Sequence, residues 1–410
     1  MASEQRKILL LDNGKEWGGG TNSMLELLKR IDRQRFDITC CFYYNYSRGE
    51  GQTIESVLNS IGIPVIFHPP KKQPLWAKVA KEMGRACLFF SRAGRKAVTR
   101  QIDYFWRIKP DALALRNMLK SGGYDILYMN NQPGSNIEGY VAAAPLPVSV
   151  VQHCRIEPVM TPDIARRVNE TASAVIAVSH GVEKVLVANG VNASLCHTVT
   201  NAIDVNQPLP ERQAMRNALG IDDETFLFGS IGSLIPRKSH HHTLEALSRF
   251  HLAHPEAKWK VILTGDGPER GKLAELAQRY GLQDKVVFTG FRNNPLDYLA
   301  AFDTFILASS SEGLPRVVLE SMLLGTVVIG SAVTGTAELI NHEQTGLLFP
   351  YGDVALLASL MERVWQDAAL RQRLKSEAAL HVRAHYSIEH YVAGVEAILS
   401  NVQPIRNFDV

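Results

Sequence analysis

The sequence is poor in cysteine and lacks the features of a disulfide-bonded or membrane-spanning protein. Its five cysteines are an odd number and show no Cys-x-x-Cys spacing, which argues against a disulfide framework and against a zinc site. The N-terminal residues run into a predicted strand without an apolar signal core, and no window reaches about 18 uninterrupted apolar residues. We therefore expect a protein of the reducing cytoplasm, with neither a visible export signal nor a membrane span.

A large net charge of one sign is also absent. The formal charge at pH 7 is +3, which is too small to indicate a dedicated nucleic-acid binder. The distribution is uneven, however, because residues 71–109 contain eleven Lys or Arg against two acidic residues, a net +9 that leaves −6 for the rest of the chain. We call residues 71–109 the basic segment. Its cations include Lys78, Lys81, Arg85, Arg92, Arg95 and Lys96.

The sequence does have the composition and periodicity of a folded α/β protein. Hydrophobic residues make up 46% and charged residues 21% of the chain, and 410 residues fit two domains of roughly 150 to 200 residues each. Short runs rich in Val, Ile and Leu alternate with longer amphipathic stretches. This alternation predicts β-α units arranged around parallel sheets.

The predicted strands fall into two sets, each flanked by helix patterns. The first set is Lys7–Asp12, Phe36–Tyr43, Pro64–Phe67, Asp125–Met129, Val148–His153, Ala174–Val178 and Leu195–Val199. The second set is Phe226–Ile231, Lys260–Thr264, Val286–Thr289, Thr304–Leu307, Val327–Ile329 and Gly346–Phe349.

The domain boundary is predicted in the proline-containing stretch DVNQPLPE, Asp204–Glu211, which separates the two sets of strands. We predict a first domain over residues 1–206, with the basic segment as a helical insertion at about 71–109. A second domain follows over residues 207–386. Residues 387–410 are predicted to contain a C-terminal helix that crosses back to the first domain.

Two glutamates eight residues apart stand out in SSSEGLPRVVLESMLLG, residues 309–325. Pro315 suits the first turn of a helix of about ten residues and Gly325 suits its C-terminal stop. Glu312 then precedes the helix N-terminus, while Glu320 lies more than a turn inside the helix.

The start of this predicted helix suits an anion or a sugar. Free N–H groups and the helix dipole favour negative charge there, and a carboxylate can accept hydrogen bonds from sugar hydroxyls. The amides that could hold a phosphate belong to Gly313, Leu314, Arg316 and Val317. The alternative is that Glu312 is a simple capping acid and Glu320 a solvated helix residue.

Three further loops in the second domain follow predicted strands and have phosphate-binding character. One carries an Arg-Lys pair that can bind phosphate oxygens, one is the glycine turn GDGPER that allows close backbone approach, and one is the small-residue loop GSAVTGTAELI. Their notable residues are Gly232, Ser233, Arg237, Lys238, Gly265, Gly267 and Glu338. Ligands of open parallel sheets bind at the carboxyl ends of the strands, so the loops predict one shared site.

These motifs resemble those of the retaining glycosyltransferases of family 4, whose GT-B architecture has two facing Rossmann-like domains with parallel sheets and a cleft between them. The resemblance covers nearly the whole chain and is most specific over Phe226–Asp353. In the second domain it rests on E-x7-E at 312 and 320, Arg-Lys at 237–238, GDGPER at 265–270, FTGF at 288–291 and TGLLFPYGD at 345–353. In the first half it rests on GGGTNS at 18–23, the strand end at His153, AVSHGV at 177–182 and TNAID at 200–204.

The resemblance implies that the second domain binds a nucleotide-sugar donor. Glu312 would contact the hydroxyls of the donor sugar, and Glu320 would contact the nucleotide ribose. Arg237 and Lys238 would neutralise the diphosphate as it leaves, so neither a divalent metal nor a cofactor besides the nucleotide-sugar co-substrate would be required. The family commonly has Arg at the position of Ser233, and we expect Arg237 to compensate for that difference.

In the first domain the resemblance implies a supporting set of residues. Gly19 and Gly20 would let the backbone lie close to the phosphates or to the acceptor. His153, expected at a strand end facing the cleft, would help to position the donor sugar or an acceptor hydroxyl. The family commonly has Asn-Gly where this chain has Asn201 and Ala202.

The basic segment combines its cations with Trp and Phe residues, as expected for a helix lying on an anionic membrane. The alternative is a solvated helical insertion whose aromatic residues pack on their own domain. Nucleic acid fits less well, because no recognised reading motif accompanies the charge. His240, His241 and His242 are consecutive, so on a helix they would point in different directions and would not form a metal site.

The sequence as a whole predicts a cytoplasmic, peripherally membrane-associated glycosyltransferase. It would use a UDP-sugar, or alternatively a GDP-sugar, and a lipid-linked or cell-envelope glycan acceptor, with retention of configuration. Two other enzymes remain open, a soluble glycosyltransferase and a nucleotide-sugar epimerase acting on small metabolites. A non-catalytic sugar-nucleotide-binding protein is the third possibility.

Overall fold

A computed structural model of the protein describes residues 5–14, 17–48 and 51–405. In this part of the chain the predicted α/β architecture is confirmed, with one parallel sheet of seven strands, a second of six strands, and helices around both. A separate two-stranded antiparallel ribbon was not predicted. Its strands have only two residues each, too few to produce a readable periodicity.

The first sheet has the strand order β5-β2-β1-β6-β7-β8-β9, and its neighbouring strands are parallel. The strands of this half, including the ribbon β3-β4, are β1 Arg6–Asp12, β2 Phe36–Phe42, β3 Ser47–Arg48, β4 Gln52–Thr53, β5 Val65–Phe67, β6 Ile126–Asn130, β7 Ser149–Cys154, β8 Ala174–Ala177 and β9 Cys196–Thr198.

The second sheet has the order β12-β11-β10-β13-β14-β15 and is likewise parallel. Its strands are β10 Phe226–Ile231, β11 Trp259–Thr264, β12 Val286–Gly290, β13 Thr304–Leu307, β14 Val327–Ser331 and β15 Leu347–Phe349. All thirteen strands predicted from the sequence are confirmed in the two sheets, each within two residues of its predicted ends.

Helices cover both faces of each sheet. In the first half they are α1 Gly19–Arg30, α2 Ile54–Ser60, α3 Leu75–Cys87, α4 Arg92–Asp103, α5 Lys109–Gly122, α6 Ile137–Ala143, α7 Pro162–Thr171 and α8 His180–Ala188. They continue with α9 Arg212–Ala218, α10 His240–Ala253, α11 Arg270–Arg279, α12 Pro295–Ala301, α13 Arg316–Leu323, α14 Thr334–Leu339, α15 Val354–Gln366, α16 Ala368–His385 and α17 Ile388–Asn401. The remaining turns are a π-helix at Tyr104–Ile108 and 3-10 turns at Pro133–Ser135, Ala193–Leu195 and Pro236–Lys238.

Both faces of the first sheet are apolar because each lies against helices. In β1, Leu9 and Leu11 belong to one buried cluster, while Ile8 and Leu10 point the other way into a second. A strand buried on both sides reads as a continuous hydrophobic run, which is why β1 was recognisable from the sequence.

The C-terminal helix α17 packs on the first domain, and Tyr391 lies in the same buried cluster as Ile8 and Leu10. The Arg6 guanidinium donates hydrogen bonds to the backbone oxygens of Leu399, at 2.7 Å, and Val402, at 2.9 Å. No helix in the described part of the chain combines the length and the apolar character needed to cross a membrane.

Candidate functional site between the two domains

The carboxyl ends of the two sheets face each other. Gly313, in the loop after β13, lies so close to the first domain that a Cβ atom on it would be 2.5 Å from the backbone oxygen of Arg155, just after β7. A Cβ on Gly181, at the start of α8, would be 2.4 Å from the side chain of Thr334, at the start of α14. The loops at these strand ends therefore form the two walls of an interdomain cleft.

The centre of the candidate site is a carboxylate held between two cations. Lys238 Nζ lies 2.6 Å from Glu312 Oε1, and Arg237 Nη1 lies 3.3 Å from Glu312 Oε2. Arg237 also donates to the backbone oxygen of Ser311 at 2.7 Å. The Arg-Lys pair and Glu312 therefore lie together, although they are about 75 residues apart in the sequence, and their shared function stays a prediction.

Glu312 is ionised at neutral pH despite its burial. Burial by itself raises the pKa of this carboxyl, but the charges of Lys238 and Arg237 outweigh burial and hold the pKa below its ordinary value. An ionised carboxylate can accept hydrogen bonds from neighbouring hydroxyls. Its two cations are also placed where a bound anion could share them.

The alternative functions considered for the two glutamates do not fit the structure. Helix α13 is capped by Pro315 without any side-chain hydrogen bond, so Glu312 is not a capping acid. The side chain of Glu320 is only 16% exposed and lies 3.6 Å from Arg316 Nη2, so it is not a solvated helix residue. The helix has eight residues rather than about ten, because it begins after Pro315.

Arg316 and Glu320 line an open part of the cleft of about 840 Å³. Its first-domain wall includes Glu26 and Lys29 of α1, and its second-domain wall includes Asn294 before α12. The chamber is therefore polar on both sides and large enough for a nucleoside-sized group.

The glycines of the GDGPER turn serve the packing of two loops. Gly265 has φ +139° and Gly267 has φ +155°, conformations that side chains other than glycine rarely adopt. A Cβ on Gly265 would be 2.0 Å from the backbone oxygen of Gly232, and one on Gly267 would be 2.5 Å from that of Leu234. The close backbone approach predicted for this turn is therefore a contact with the neighbouring loop, which carries Ser233 and the Arg-Lys pair.

Gly19 and Gly20 form the start of α1. A Cβ on Gly19 would meet nothing within 4 Å, whereas one on Gly20 would be 3.5 Å from the side chain of Arg155. The predicted contact of this turn with phosphates or an acceptor remains a prediction. Residues 15 and 16, just before the turn, lie outside the described residues.

The prediction that His153 faces the cleft is wrong. The imidazole is fully buried, its Nδ1 bonds to the hydroxyl of Tyr128, and its ring lies 6.2 Å from that of Tyr391 in α17. Burial and the neighbouring Arg155 hold the pKa of His153 well below its ordinary value, so the ring is neutral. Alternate residues of a strand face opposite sides, and the side with His153 is covered by α17. Its contact with donor or acceptor stays a prediction.

A buried polar network in the first domain was missed by the sequence analysis. Asn130 donates to Asp12 Oδ2 at 2.6 Å and accepts from Arg155 Nε at 2.7 Å, while Arg155 Nη1 donates to the Tyr391 hydroxyl at 2.9 Å. Burial raises the pKa of Asp12, partly offset by the bond from Asn130. The sequence feature that could have revealed this network is the position of Asp12 and Asn130, since each is the last residue of a strand.

Two carboxylates that join the domains were also not assigned a function. Glu338 of α14 accepts hydrogen bonds from the backbone N–H groups of His180, at 3.0 Å, and Gly181, at 2.9 Å, at the N-terminus of α8. Glu157 of the first domain accepts from the hydroxyls of Ser311 and Thr334. These bonds connect the two domains across the cleft.

The TNAID motif contributes to the same interface. Asn201 is buried and donates to the backbone oxygen of Leu314 at 3.0 Å, and Arg316 donates to the backbone oxygen of Ala202 at 3.0 Å. The loop that carries Glu312 is therefore positioned by contacts from the first domain.

The cations predicted to meet an acceptor or a membrane lie on two helices of the first domain. Lys78, Lys81 and Arg85 lie on α3, and Arg92, Arg95 and Lys96 lie on α4. Among the three consecutive histidines, His240 is buried while His241 is exposed, and the described residues contain no group of three or more His, Cys, Asp or Glu arranged to hold a metal ion.

The fold defines the class of protein. HepE of Anabaena, solved in complex with UDP-glucose, superposes with a TM-score of 0.75 over 97% of this chain and 100% of its own, at 22% sequence identity. WaaG, a glycosyltransferase involved in lipopolysaccharide biosynthesis, superposes with a TM-score of 0.68 over 95% of this chain and 98% of its own, at 15% identity. Two facing parallel α/β domains with a cleft between their carboxyl edges are the GT-B fold.

Sequence comparison gives the family. The family described as Glycosyl transferases group 1 matches residues 211–381, and the one described as Glycosyltransferase Family 4 matches residues 17–207. The chain belongs to the group 1 glycosyltransferases of GT-B fold, as the motifs predicted.

Curated relatives match over part of their length. LpsD of Rhizobium meliloti strain 1021, a lipopolysaccharide core biosynthesis glycosyltransferase, is 31% identical over 178 residues, which are 43% of this chain and 50% of LpsD. An N-acetyl-alpha-D-glucosaminyl L-malate synthase of Bacillus anthracis is 32% identical over 147 residues, 36% of this chain and 39% of that enzyme. The chain thus spans half or less of the length of these relatives.

Proposed function

We propose that the protein is a retaining glycosyltransferase that moves a hexose from a nucleotide sugar to a lipid-linked or cell-envelope glycan, such as a lipopolysaccharide core. A UDP-sugar is the favoured donor and a GDP-sugar the alternative. The observation that carries the proposal is the buried Glu312 carboxylate, held between Lys238 and Arg237 in a loop on the second-domain side of the interdomain cleft. HepE, which binds UDP-glucose, and LpsD, a lipopolysaccharide core enzyme by name, support the choice of donor and acceptor.

The reaction requires that negative charge on the departing diphosphate be stabilised. Lys238 and Arg237 supply two positive charges for this purpose when they turn from Glu312 to the phosphate oxygens. Glu312 then accepts hydrogen bonds from hydroxyls of the transferred sugar and fixes its orientation. With two cations at the leaving group, the proposed reaction proceeds without a divalent metal.

Retention of configuration follows from attack on the same face of the sugar. In this mechanism the acceptor hydroxyl approaches beside the departing diphosphate, and a phosphate oxygen takes its proton as the bond to the anomeric carbon forms. The enzyme contributes orientation and charge screening rather than a covalent nucleophile. Glu320, in the open chamber of the cleft, binds the ribose hydroxyls.

Donor binding is tested by thermal melting with UDP-, GDP- and ADP-sugars. A ligand that binds only the native state stabilises it by about 2.7 kcal/mol at a concentration a hundredfold above its Kd. We expect one UDP-sugar to raise the Tm and Glu320→Ala to remove most of that shift, whereas Glu343→Ala, at an exposed ion pair with Arg363, should retain it. The absence of a shift with every donor would contradict the proposed nucleotide-sugar site.

A second candidate is transfer to a small soluble molecule. It is favoured by the Bacillus anthracis relative, whose name specifies an L-malate product, and by a 2-deoxystreptamine glucosyltransferase of Streptomyces kanamyceticus that is 26% identical over 295 residues. Acceptor assays with and without lipid separate the two transferases. A nucleotide-sugar epimerase would instead convert the donor without releasing a nucleoside diphosphate.

The proposed acceptor also implies a location, at the inner face of the cell membrane, with the protein cytoplasmic and attached peripherally. The support for this part of the proposal is the net +9 of the basic segment, which suits an anionic lipid surface.

A further inference from the structure

The helices α3 and α4 form a hairpin, residues 75–103, that packs only slightly against the rest of the first domain. Among its residues, all of them described, Ala77 is the only one that is buried. The helices pack closely on each other, since a Cβ on Gly84 would be 2.8 Å from the side chain of Val98. More than half of the hairpin residues are exposed to solvent.

One side and the tip of the hairpin are apolar and exposed. Leu75, Val79 and Met83 are 78%, 56% and 61% exposed, and their spacing of four residues places them on one face of α3. At the turn, Phe89 and Phe90 are 76% and 74% exposed. Single exposed apolar residues are ordinary, but five on one short hairpin form a patch that indicates an interaction surface.

The second helix presents cations in the same periodic way. Arg92, Lys96 and Arg100 are exposed, lie four residues apart on one face of α4, and form no ion pair with any residue in the described part of the chain. Lys81 differs, because it is paired with Asp103 at 2.6 Å. The outer cations are therefore free to meet an anionic partner.

The position of the hairpin relates it to the cleft. It follows β5, which is parallel to β2, and β2 is parallel to β1. The carboxyl ends of parallel strands share one edge, so the hairpin leaves the first domain from the edge that faces the second domain. A surface bound by the hairpin would lie beside the cleft opening.

We propose that the hairpin is a membrane-docking element, with Phe89, Phe90 and the Leu75–Met83 face inserted into an anionic bilayer and the α4 cations on the lipid headgroups. Apolar insertion combined with electrostatic attraction to anionic lipid is the usual basis of interfacial binding. A second copy of the chain is disfavoured as the partner because two basic segments of +9 would repel each other. The inference deepens the proposed function, on which its consequence rests: a lipid-linked acceptor reaches the cleft while its lipid stays in the bilayer.

The test is co-sedimentation of the full chain, without donor or acceptor, with vesicles of phosphatidylglycerol and phosphatidylethanolamine or of phosphatidylcholine alone. We expect binding to the anionic vesicles only. Leu75→Asp and the double change Phe89→Ala with Phe90→Ala should each weaken it by at least about tenfold. The matched control is Leu252→Asp, because Leu252 in the second domain is also 78% exposed.

The charge contribution is tested by changing Arg92, Lys96 and Arg100 together to Gln. Each cation near an anionic surface contributes about fivefold to the affinity for the vesicles, so we expect the triple variant to bind roughly a hundredfold more weakly. The difference from the wild type should become smaller as salt is added. The control removes the same net charge from the second domain at Arg249, Lys258 and Lys272, and should retain most of the binding. Thermal melting checks that every variant is folded.

Several outcomes would overturn the proposal. These are absence of binding to anionic vesicles, equal losses in the control variants, and a lipid-free dimer in sedimentation equilibrium that Leu75→Asp dissociates. Unchanged vesicle binding by the Phe89 and Phe90 variant, with competition by duplex DNA, would identify a general polyanion site instead. Because binding is measured without substrates, an inactive or differently acting enzyme would leave the result unaffected.

Discussion

The two domains have similar parallel sheets but use the polar residues at their strand ends differently. In the second domain, Glu312, Arg237 and Lys238 form an ion cluster at the cleft. In the first domain, the corresponding residues Asp12 and Asn130 are turned inward, where they bond to each other and, through Arg155, to the C-terminal helix. The same edge of a parallel sheet thus carries an ion cluster at the cleft in one domain and a buried hydrogen-bond network in the other.

Removing the negative charge of the second-domain cluster should affect catalysis strongly. We predict that Glu312→Gln lowers kcat roughly 10² to 10³-fold, because a preorganised charged contact to the reacting sugar is lost. The isosteric change should leave the fold intact by circular dichroism. Glu343→Gln, at an exposed ion pair, is the control and should keep full activity. Wild-type turnover by Glu312→Gln would show that the Glu312 carboxylate does not contribute to catalysis.

The glycine turns provide a second contrast between the domains. We predict that Gly265→Ala destabilises the protein by about 3 kcal/mol, because the backbone conformation suits only glycine and the new Cβ would clash with the Gly232 backbone. Gly19→Ala should be nearly neutral, since a Cβ there meets nothing within 4 Å. Denaturant melts measure both, and equal destabilisation of the two variants would contradict the contrast.

We expect buried histidines to make both domains sensitive to acid. Burial, and then the charge of Lys238, lower the pKa of His240 to about 4 from an unfolded value of 6.5. The unfolded state therefore binds a proton first, so the stability due to neutral His240 is complete above pH 6.5 and is lost as the pH falls toward 4. We predict a loss of about 3 kcal/mol that His240→Phe abolishes.

The matched control for this measurement is His241→Gln, because His241 is the exposed neighbour on the same helix. Stability is followed by denaturant melts between pH 7 and pH 4. The variant at His240 should still show the part of the acid sensitivity that comes from His153, whose pKa is also lowered by burial. An unchanged pH profile in His240→Phe would show that this imidazole is not titrating as the structure implies.

The smallest effect is expected at the contact between the domains. Glu338→Gln should weaken closure by about 1 kcal/mol, because a neutral amide interacts less favourably with the α8 amides and helix dipole. We expect a larger radius of gyration in X-ray scattering and a raised donor KM with a smaller change in kcat. Glu362→Gln, on the outer helix α15, should change neither quantity.

The second-domain site was largely predictable from the sequence because its signals are local. Glu312 and Lys238 lie in short loops after recognisable strands, and the shared sheet edge brings the loops together. The first-domain network was not predictable in the same way. His153 was placed on the wrong face because α17, more than 230 residues later in the chain, covers that side of the sheet. Glu338 was recognised only as the end of a loop, since its partners are backbone amides of the other domain.

A crystal structure with an intact UDP-sugar would show whether the Glu312 cluster is the donor-sugar site. We expect diphosphate oxygens about 3 Å from Lys238 Nζ and the Arg237 guanidinium, a sugar hydroxyl bonded to Glu312, and the ribose at Glu320. A nucleotide bound elsewhere, with the Lys238–Glu312 pair still closed at its 2.6 Å separation, would contradict this expectation.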